Sequence, residues 1–247
     1  MKPEFSNSIP SFRHASVLAS GKVRRWLEGL ARGQEAGQWG IDQVIIHQAF
    51  MFGDDKVGYV VAEAKGKLGD GSRLNGIVFL RGDGVCIIPV LVTQDGTEWT
   101  IVVEQPRLAV GASAYVEAVA GMVDEGEVSS KALDELSEET GEDFGLTASD
   151  LVEIGRVHPS PGGCDEEIIF YSFLRHVSQS MINSLQGRPG GMVSESESIT
   201  VRAIPLTNLP IEANQDMKAR MGHTMLEEWR NNHGFDSLDV RNHALTP

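Results

Sequence analysis

The sequence has few cysteines, a shortage of basic residues and no long apolar run. Only Cys86 and Cys164 occur among its 247 residues, and residues 1–12 lack the basic-then-apolar pattern of a secretory signal. We therefore expect no disulfide framework and a reducing, cytoplasmic compartment. The longest apolar run, 85–92, contains Pro89 and is far shorter than the roughly 20 residues of a spanning helix. We expect no membrane association.

The scarcity of basic residues also bears on the choice of partner. Lys and Arg number 21 against 35 Asp and Glu, which gives a formal net charge of −14. Binding to a nucleic-acid backbone requires a basic surface, so the charge argues against that class of partner. The acids concentrate between Asp124 and Asp143, where Lys131 is the single base. Such a cluster repels itself unless solvent separates the charges or a cation lies among them.

The apolar periodicity and the turn residues predict a mixture of helices and strands. We predict an amphipathic helix over 16–30 that ends near Gly33, a carboxylate-rich helix over 129–140 and a last helix over 215–231. A small antiparallel sheet is expected within 41–82, a hairpin turn at 94–97 and a loop at 187–191. The predicted strands are 43–52, 58–64, 75–80, 85–92, 99–105, 152–158, 167–174 and 198–205. This order of elements indicates an α/β or α+β fold.

The helix over 129–140 carries the most chemistry. Glu135 lies one turn from both Glu138 and Glu139, so the three form one anionic patch. Like charges at this spacing destabilise an isolated helix by about 0.2–0.5 kcal/mol per pair, and a divalent cation would reverse that effect. Oxygen ligands without nearby histidine or thiolate suit Mg²⁺ or Mn²⁺. On the three glutamates alone, a solvent-exposed acidic helix, which is common, is the favoured interpretation.

The residues around this helix resemble the Nudix box, written G-x5-E-x7-R-E-U-x-E-E-x-G-U, where U is a bulky apolar residue. The matching positions are Gly121, Glu127, Glu135, Leu136, Glu138, Glu139 and Gly141. Three features depart from the motif: the gap between Glu127 and the Glu135 block is one residue short, Asp134 replaces the arginine and Glu142 replaces the last apolar residue. In the family the arginine helps to hold the glutamates, and Lys131 is a candidate for that role here.

A second segment, Pro-Ser-Pro-Gly-Gly-Cys-Asp-Glu-Glu at 159–167, resembles a loop of the ADP-sugar and ADP-ribose diphosphatases. In those relatives the glutamate that aligns with Glu166 approaches the metals and the attacking water. The resemblance covers roughly residues 41–229.

This resemblance implies a fold and an assembly. We expect a Nudix α/β/α sandwich with a mixed sheet, preceded by a small N-terminal antiparallel β-sheet subdomain. The expected divisions are a helical extension at 1–40, a β subdomain for dimerisation at 41–84 and the Nudix hydrolase domain at 85–247. In the subfamily the N-terminal sheet exchanges between subunits, which implies a homodimer.

The resemblance also implies site residues. Glu135, Glu139 and the Ala120 carbonyl are expected to hold Mg²⁺ or Mn²⁺. Glu166 is expected to act as the general base, with Glu138 as a secondary catalytic and metal-binding group. The expected substrate-binding residues are Arg81, Arg107 and Glu117, and the reserve bases are Glu195 and Glu197.

The expected activity is metal-dependent hydrolysis of a nucleoside diphosphate sugar, such as ADP-glucose, ADP-ribose or UDP-glucose, to a nucleoside monophosphate and a sugar phosphate. One alternative is a Nudix-fold protein that binds a nucleotide with little or no hydrolysis. A second alternative is a dimeric scaffold whose acidic helix is only a surface.

Overall fold

The computed structural model describes residues 2–53, 56–123, 128–191, 198–234 and 238. The chain divides into two compact units, one formed by Met1–Asp83 with His158–Glu167 and the other by Gly84–Val157 with Ile168–Pro247. The domain boundaries predicted at residues 40 and 84 stay predictions. In the described ranges, no helix is both long enough and apolar enough to cross a membrane.

The first unit is built on a four-stranded sheet in the order β1-β2-β3-β4, with antiparallel pairing throughout β2 to β4 and a parallel β1 at the edge. The small antiparallel sheet predicted for 41–82 is confirmed. In chain order the unit contains β1 (Glu4–Phe5), a 3₁₀ turn (Ser11–Arg13), α1 (His14–Ala19), α2 (Gly21–Glu35), β2 (Trp39–Phe52), β3 (Lys56–Leu68) and β4 (Arg73–Leu80).

The two faces of this sheet differ because side chains alternate along each strand. Val60 and Leu80 point into a core that α1 and α2 close with Val17 and Val23. The opposite face, which we call the aromatic face, carries side chains that remain partly open to solvent. Its members are Phe50, Phe52, Tyr59, Ile77 and Phe79.

Two helices, α1 and α2, occupy the region where the sequence predicts one helix over 16–30. The predicted end near Gly33 is wrong, because α2 continues to Glu35. Ser20 has an extended backbone with ψ of 138°, which separates α1 from α2. Gly33 does not stop α2, because it lies inside the helix beneath the indole of Trp39, where a Cβ would overlap the ring. The turn with positive φ comes later, at Gly37.

The second unit contains a seven-stranded mixed sheet in the order β10-β11-β6-β7-β5-β9-β8. Strand β5 runs parallel to β9 and antiparallel to β7, and the turn at 94–97 joins β5 to β6 as predicted. In chain order the unit contains β5 (Gly84–Val92), β6 (Glu98–Arg107), a 3₁₀ turn (Leu108–Val110), β7 (Ala112–Met122), α3 (Val128–Thr140), a 3₁₀ turn (Ala148–Asp150), β8 (Val152–Val157), β9 (Ile168–His176), α4 (Gln179–Leu185), β10 (Pro189–Gly190), β11 (Ile199–Pro205), a 3₁₀ turn (Leu206–Asn208), α5 (Leu209–Glu212) and α6 (Met217–His233).

Strand β5 is buried on both faces, as its uninterrupted apolar run predicts. Val85 and Ile87 face one core, which α3 and α4 close, whereas Cys86 and Ile88 face a second core, which α5 and α6 close. Helices therefore cover both faces of the mixed sheet, and the predicted α/β/α sandwich is confirmed.

Strand β7, helix α4 and the two-residue strand β10 were not predicted. The sequence of β7, Ala-Ser-Ala-Tyr-Val-Glu-Ala-Val-Ala-Gly-Met, is rich in small residues and weak in strand propensity. Its pairing with β5 and β6 on either side holds it in the sheet. The predicted loop 187–191 contains β10, which pairs with β11.

Candidate functional site

Helix α3, in the second unit, carries Glu135, Glu138 and Glu139 and determines where their side chains point. Ala132 and Leu136 are buried in the core beneath it. The helix ends at Thr140, and the N–H of the next residue, Gly141, donates to the Ser137 carbonyl at 2.9 Å; the φ of 63° at Gly141 then turns the chain out of the helix. The apolar side of α3 therefore fixes the rotation of the helix and, with it, the direction of Glu135 and Glu139.

Glu139 reaches the backbone of β7 where that strand leaves its neighbour. The pairing of β6 with β7 ends at Val102↔Ala118. Two residues further on, the Ala120 N–H donates a hydrogen bond to Glu139 Oε2 at 3.3 Å. Glu139 is only 4% exposed, so its carboxylate is held inside the unit beside Ala120, as the resemblance implies.

Glu135 reaches the next residue of the same strand. Its carboxylate occupies the space in which a Cβ of Gly121 would stand. Any side chain at position 121 would therefore push Glu135 away. Glu135 and Glu139 are thus brought to consecutive residues, Ala120 and Gly121, and this observation explains why a glycine opens the motif.

Lys131 holds the acidic face of α3 together. Its ammonium lies 2.9 Å from Glu135 Oε1 and 3.7 Å from Glu138 Oε2. Burial acts to lower the pKa of Lys131, but the hydrogen bond and charge of Glu135, with further charges on the helix, outweigh it and raise that pKa. Lys131 therefore stays charged. It contacts the glutamates of α3, as expected for a residue that takes over from the arginine that Asp134 replaces.

The last departure from the motif, Glu142, also has a partner. Arg188 donates to Glu142 Oε2 at 2.6 Å and to the Gly141 carbonyl at 3.2 Å. The Gly191 N–H donates to the Glu138 carbonyl at 3.0 Å. An ion pair thus takes the place of the apolar contact that the motif would give, and it fixes the end of α3.

Arg107 and Glu117 lie together on the β6–β7 ladder. Arg107 Nε donates to Glu117 Oε1 at 2.6 Å, and Lys218 donates to Glu117 Oε2 at 3.0 Å. Lys218 also pairs with Asp216, whose carboxylate caps α6 and accepts the Ala118 N–H. Sequence reasoning did not find Lys218 or Asp216, although an aspartate just before a helical pattern is a capping signal.

Arg81 and Glu166 come together in the first unit. Arg81 Nε lies 3.1 Å from Glu166 Oε1. The Nε–H forms no aligned hydrogen bond with any described residue, so the contact is an ion pair. Glu166 is 16% exposed in its side chain and Arg81 is 40% exposed. No pattern in the sequence indicates this pairing.

The donor set is suited to a hard cation. Glu135 and Glu139 offer carboxylate oxygens, and Mg²⁺ commonly binds proteins through one or two carboxylates while keeping several waters. Among residues that the structure describes, no three His, Cys, Asp or Glu side chains converge as a metal site. The predicted motif residue Glu127 and the reserve bases Glu195 and Glu197 lie outside the described residues.

Comparison with known proteins agrees with these features. No family model matches the chain. Nudix hydrolase 14, chloroplastic, from Arabidopsis thaliana is 32% identical over 219 residues, which cover 82% of this chain and 68% of that protein. A crystal structure of an ADP compounds hydrolase matches with a TM-score of 0.51 at 14% identity, covering 80% of this chain and 96% of that one, and shows the same fold. The chain therefore belongs to the Nudix hydrolase family.

Proposed function

We propose that the chain hydrolyses the diphosphate bond of a nucleoside diphosphate sugar to a nucleoside monophosphate and a sugar phosphate, with the help of a divalent cation. The candidate substrates are ADP-glucose, ADP-ribose and UDP-glucose. The observation that carries the proposal is the gathering of Glu135 and Glu139 at Ala120 and Gly121. The resemblance of the 159–167 loop to ADP-sugar diphosphatases supports the substrate class.

Glu135, Glu139 and the Ala120 carbonyl would hold Mg²⁺ or Mn²⁺, with Glu138 as a secondary ligand. A bound divalent ion would offset phosphate charge and lower the pKa of a coordinated water. The approach of Glu139 to Ala120 supports this assignment, because it brings the carboxylate to the residue whose carbonyl is the proposed backbone ligand. The family generally uses a divalent metal such as Mg²⁺.

Glu166 is the proposed general base, which takes a proton from the attacking water or orients that water through a hydrogen bond. Its ion pair with Arg81 places a guanidinium 3.1 Å from this carboxylate and fixes its position. Arg81 is the proposed contact to substrate phosphate, since its side chain remains partly exposed beside that carboxylate.

Arg107 is proposed to bind the substrate as well. Its side chain is 42% exposed, whereas both oxygens of Glu117 already accept hydrogen bonds. Glu117 therefore contributes to substrate binding chiefly by fixing Arg107. A guanidinium held at Nε by a buried carboxylate loses little conformational freedom when it meets an anionic ligand.

The proposed assembly is a homodimer in which a second copy covers the aromatic face. Ile77 is 65% exposed and Phe50 is 48% exposed, and the ring of Tyr59 lies 5.0 Å from that of Phe79. Contiguous apolar surface of this kind marks interaction sites. The implied dimerisation role of the N-terminal sheet supports the same surface.

A reducing compartment such as the cytoplasm is also proposed. Cys86 and Cys164 both carry free thiols, which agrees with such a compartment. Imaging of the tagged chain in its own cells tests the location. Accumulation in an oxidising compartment would contradict it.

The test of the proposed function is a panel of nucleoside diphosphate sugars assayed with Mg²⁺ and with Mn²⁺, together with Glu139→Gln. That substitution removes a charge while keeping the shape, so we expect the fold to remain and turnover to fall sharply. Asp134→Asn, on the exposed side of the same helix, is the matched control and should retain activity. Calorimetric Mg²⁺ binding is the second readout, and a Glu139→Gln variant that binds Mg²⁺ and turns over like the parent contradicts the metal assignment.

The shortened motif and Asp134 favour a second candidate, a Nudix-fold protein that binds the nucleotide with weak or no hydrolysis. Nucleotide binding without product formation, under both Mg²⁺ and Mn²⁺, would decide for that function.

A further inference from the structure

The loop that carries Glu166 is tied to the end of β4 by its neighbour, Asp165. One Asp165 oxygen, Oδ1, accepts the backbone N–H of Arg81 at 2.7 Å and that of Gly82 at 3.1 Å. The Phe79 N–H also donates to the Gly163 carbonyl at 2.8 Å. The loop and the strand end are therefore joined by side chain and backbone together.

The arrangement at Arg81 and Gly82 is an anion-binding turn. Gly82 has a φ of +89°, a conformation that glycine adopts without strain and that lets two successive N–H groups point to one side. Such a concavity of backbone N–H groups binds anions. Here the chain's own Asp165 carboxylate fills it, through hydrogen bonds strengthened by the charge of the acceptor.

The residue that follows Gly82 is held as well, because Asp83 pairs with Arg25 at 3.1 Å. Asp165 directly precedes Glu166 in the chain, and it bonds to the backbone of Arg81, whose side chain lies 3.1 Å from the Glu166 carboxylate. Both members of the pair therefore extend from the segments that Asp165 joins.

We propose that Asp165 is a positioning residue for the Arg81–Glu166 pair. By filling the turn at Arg81 and Gly82, it fixes the backbone from which both members of the pair extend. This inference rests on the proposed roles of Arg81 and Glu166. It assigns to Asp165 no contact with substrate, so Asp165 affects the base through Glu166 and affects substrate binding only through Arg81.

The experiment compares Asp165→Ala with Asp165→Asn in the full-length chain. The amide oxygen of asparagine can still accept both N–H groups, whereas alanine leaves them without that acceptor. We expect Asp165→Ala to lower kcat by about 10–100-fold, since small misplacements of a catalytic group cost that much. KM should rise by a smaller factor than kcat falls, because Arg81 is the only member of the pair that is proposed to contact the substrate. Asp165→Asn should keep most of the parent kcat.

Hydrogen exchange gives a readout that is independent of turnover. The Arg81 and Gly82 amides should exchange faster in Asp165→Ala and stay protected in Asp165→Asn. Asp70→Ala is the matched control, because Asp70 also accepts a backbone N–H, from Ser72 at 2.9 Å, in an exposed turn of the same unit. That variant should leave kcat unchanged.

Glu166→Gln separates the inference from the function on which it rests. A parent-like rate in Glu166→Gln removes the base from the proposed function and overturns the positioning role with it. A slow Glu166→Gln beside a parent-like Asp165→Ala overturns the positioning role alone. Equal losses of kcat in Asp165→Ala and Asp165→Asn also overturn it, because the acceptor oxygen would then not be the cause.

Discussion

The Lys131 ammonium lies 2.9 Å from Glu135 Oε1, one turn apart on α3. In an isolated helix a lysine that precedes its glutamate is the weaker order of the pair. Here the same ammonium also lies 3.7 Å from Glu138, so it serves two carboxylates at once. The contact supplies positive charge in the segment where Asp134 adds negative charge.

Replacement of Lys131 by methionine should lower stability in a manner that depends on pH. The folded pKa of Lys131 is raised above its unfolded value, so its contribution is complete below about pH 10 and is lost as pH rises through the folded pKa. At neutral pH we expect a loss of about 0.3–0.5 kcal/mol, as for other partly exposed helical pairs. Urea denaturation from pH 7 to 11 measures it, with Lys67→Met at an exposed position as the control. A difference that grows with pH would contradict the assignment.

Replacement of Gly121 by alanine should displace Glu135. The new Cβ would overlap the Glu135 carboxylate, and overpacking of this kind costs about 1–3 kcal/mol. We expect weaker Mg²⁺ binding by calorimetry and a fall in turnover of about 100-fold. Gly76→Ala is the matched control, because it is a strand glycine with open space at its Cβ position. Unchanged Mg²⁺ binding in Gly121→Ala would exclude Glu135 as a ligand.

Much of the fold could be predicted from the sequence because the signals are local. The buried run of β5, the turn at 94–97 and the apolar side of α3 each follow from residues close together in the chain. Strand β7 could not be predicted in this way, since its small residues are weak strand formers and its two neighbours, β5 and β6, hold it in place. The break between α1 and α2 depends on the single backbone torsion of Ser20.

The same distinction between local signals and contacts of distant residues applies to the site. The spacing on α3 predicts the grouping of Glu135 and Glu139, and the structure adds the reason for Gly121. The bond from Arg81 to Asp165 joins residues 84 positions apart and leaves no periodic signal. Contacts from a side chain to a distant backbone N–H depend on the complete fold, so the sequence alone did not indicate them.

Removal of the Lys218 charge should be strongly destabilising. Lys218 lies 3.0 Å from both Glu117 and Asp216, which are almost fully buried. Burial acts to lower the pKa of Lys218, but the charges of Asp216 and Glu117 raise it, so the group stays charged. Loss of the ammonium removes positive charge from two buried carboxylates, of which Glu117 keeps its ion pair with Arg107, and we expect Lys218→Met to cost about 3–5 kcal/mol in urea denaturation. Arg156→Met, which breaks an exposed pair in the same unit, should cost far less. Comparable losses in the two variants would exclude a special role for burial.

A charge placed on the aromatic face should separate the proposed dimer. Ile77 and Phe50 are exposed on this face, and a second copy would bury them against apolar partners. A buried unpaired charge is costly, so Ile77→Glu and Phe50→Glu should convert the dimer to a monomer in light scattering after size exclusion. Phe12→Glu is the control, because Phe12 is 74% exposed but lies in the 3₁₀ turn before α1, outside the sheet. If the parent chain is already a monomer at micromolar concentration, or if all three variants remain dimers, this face is not the interface and the exposed aromatics need another partner.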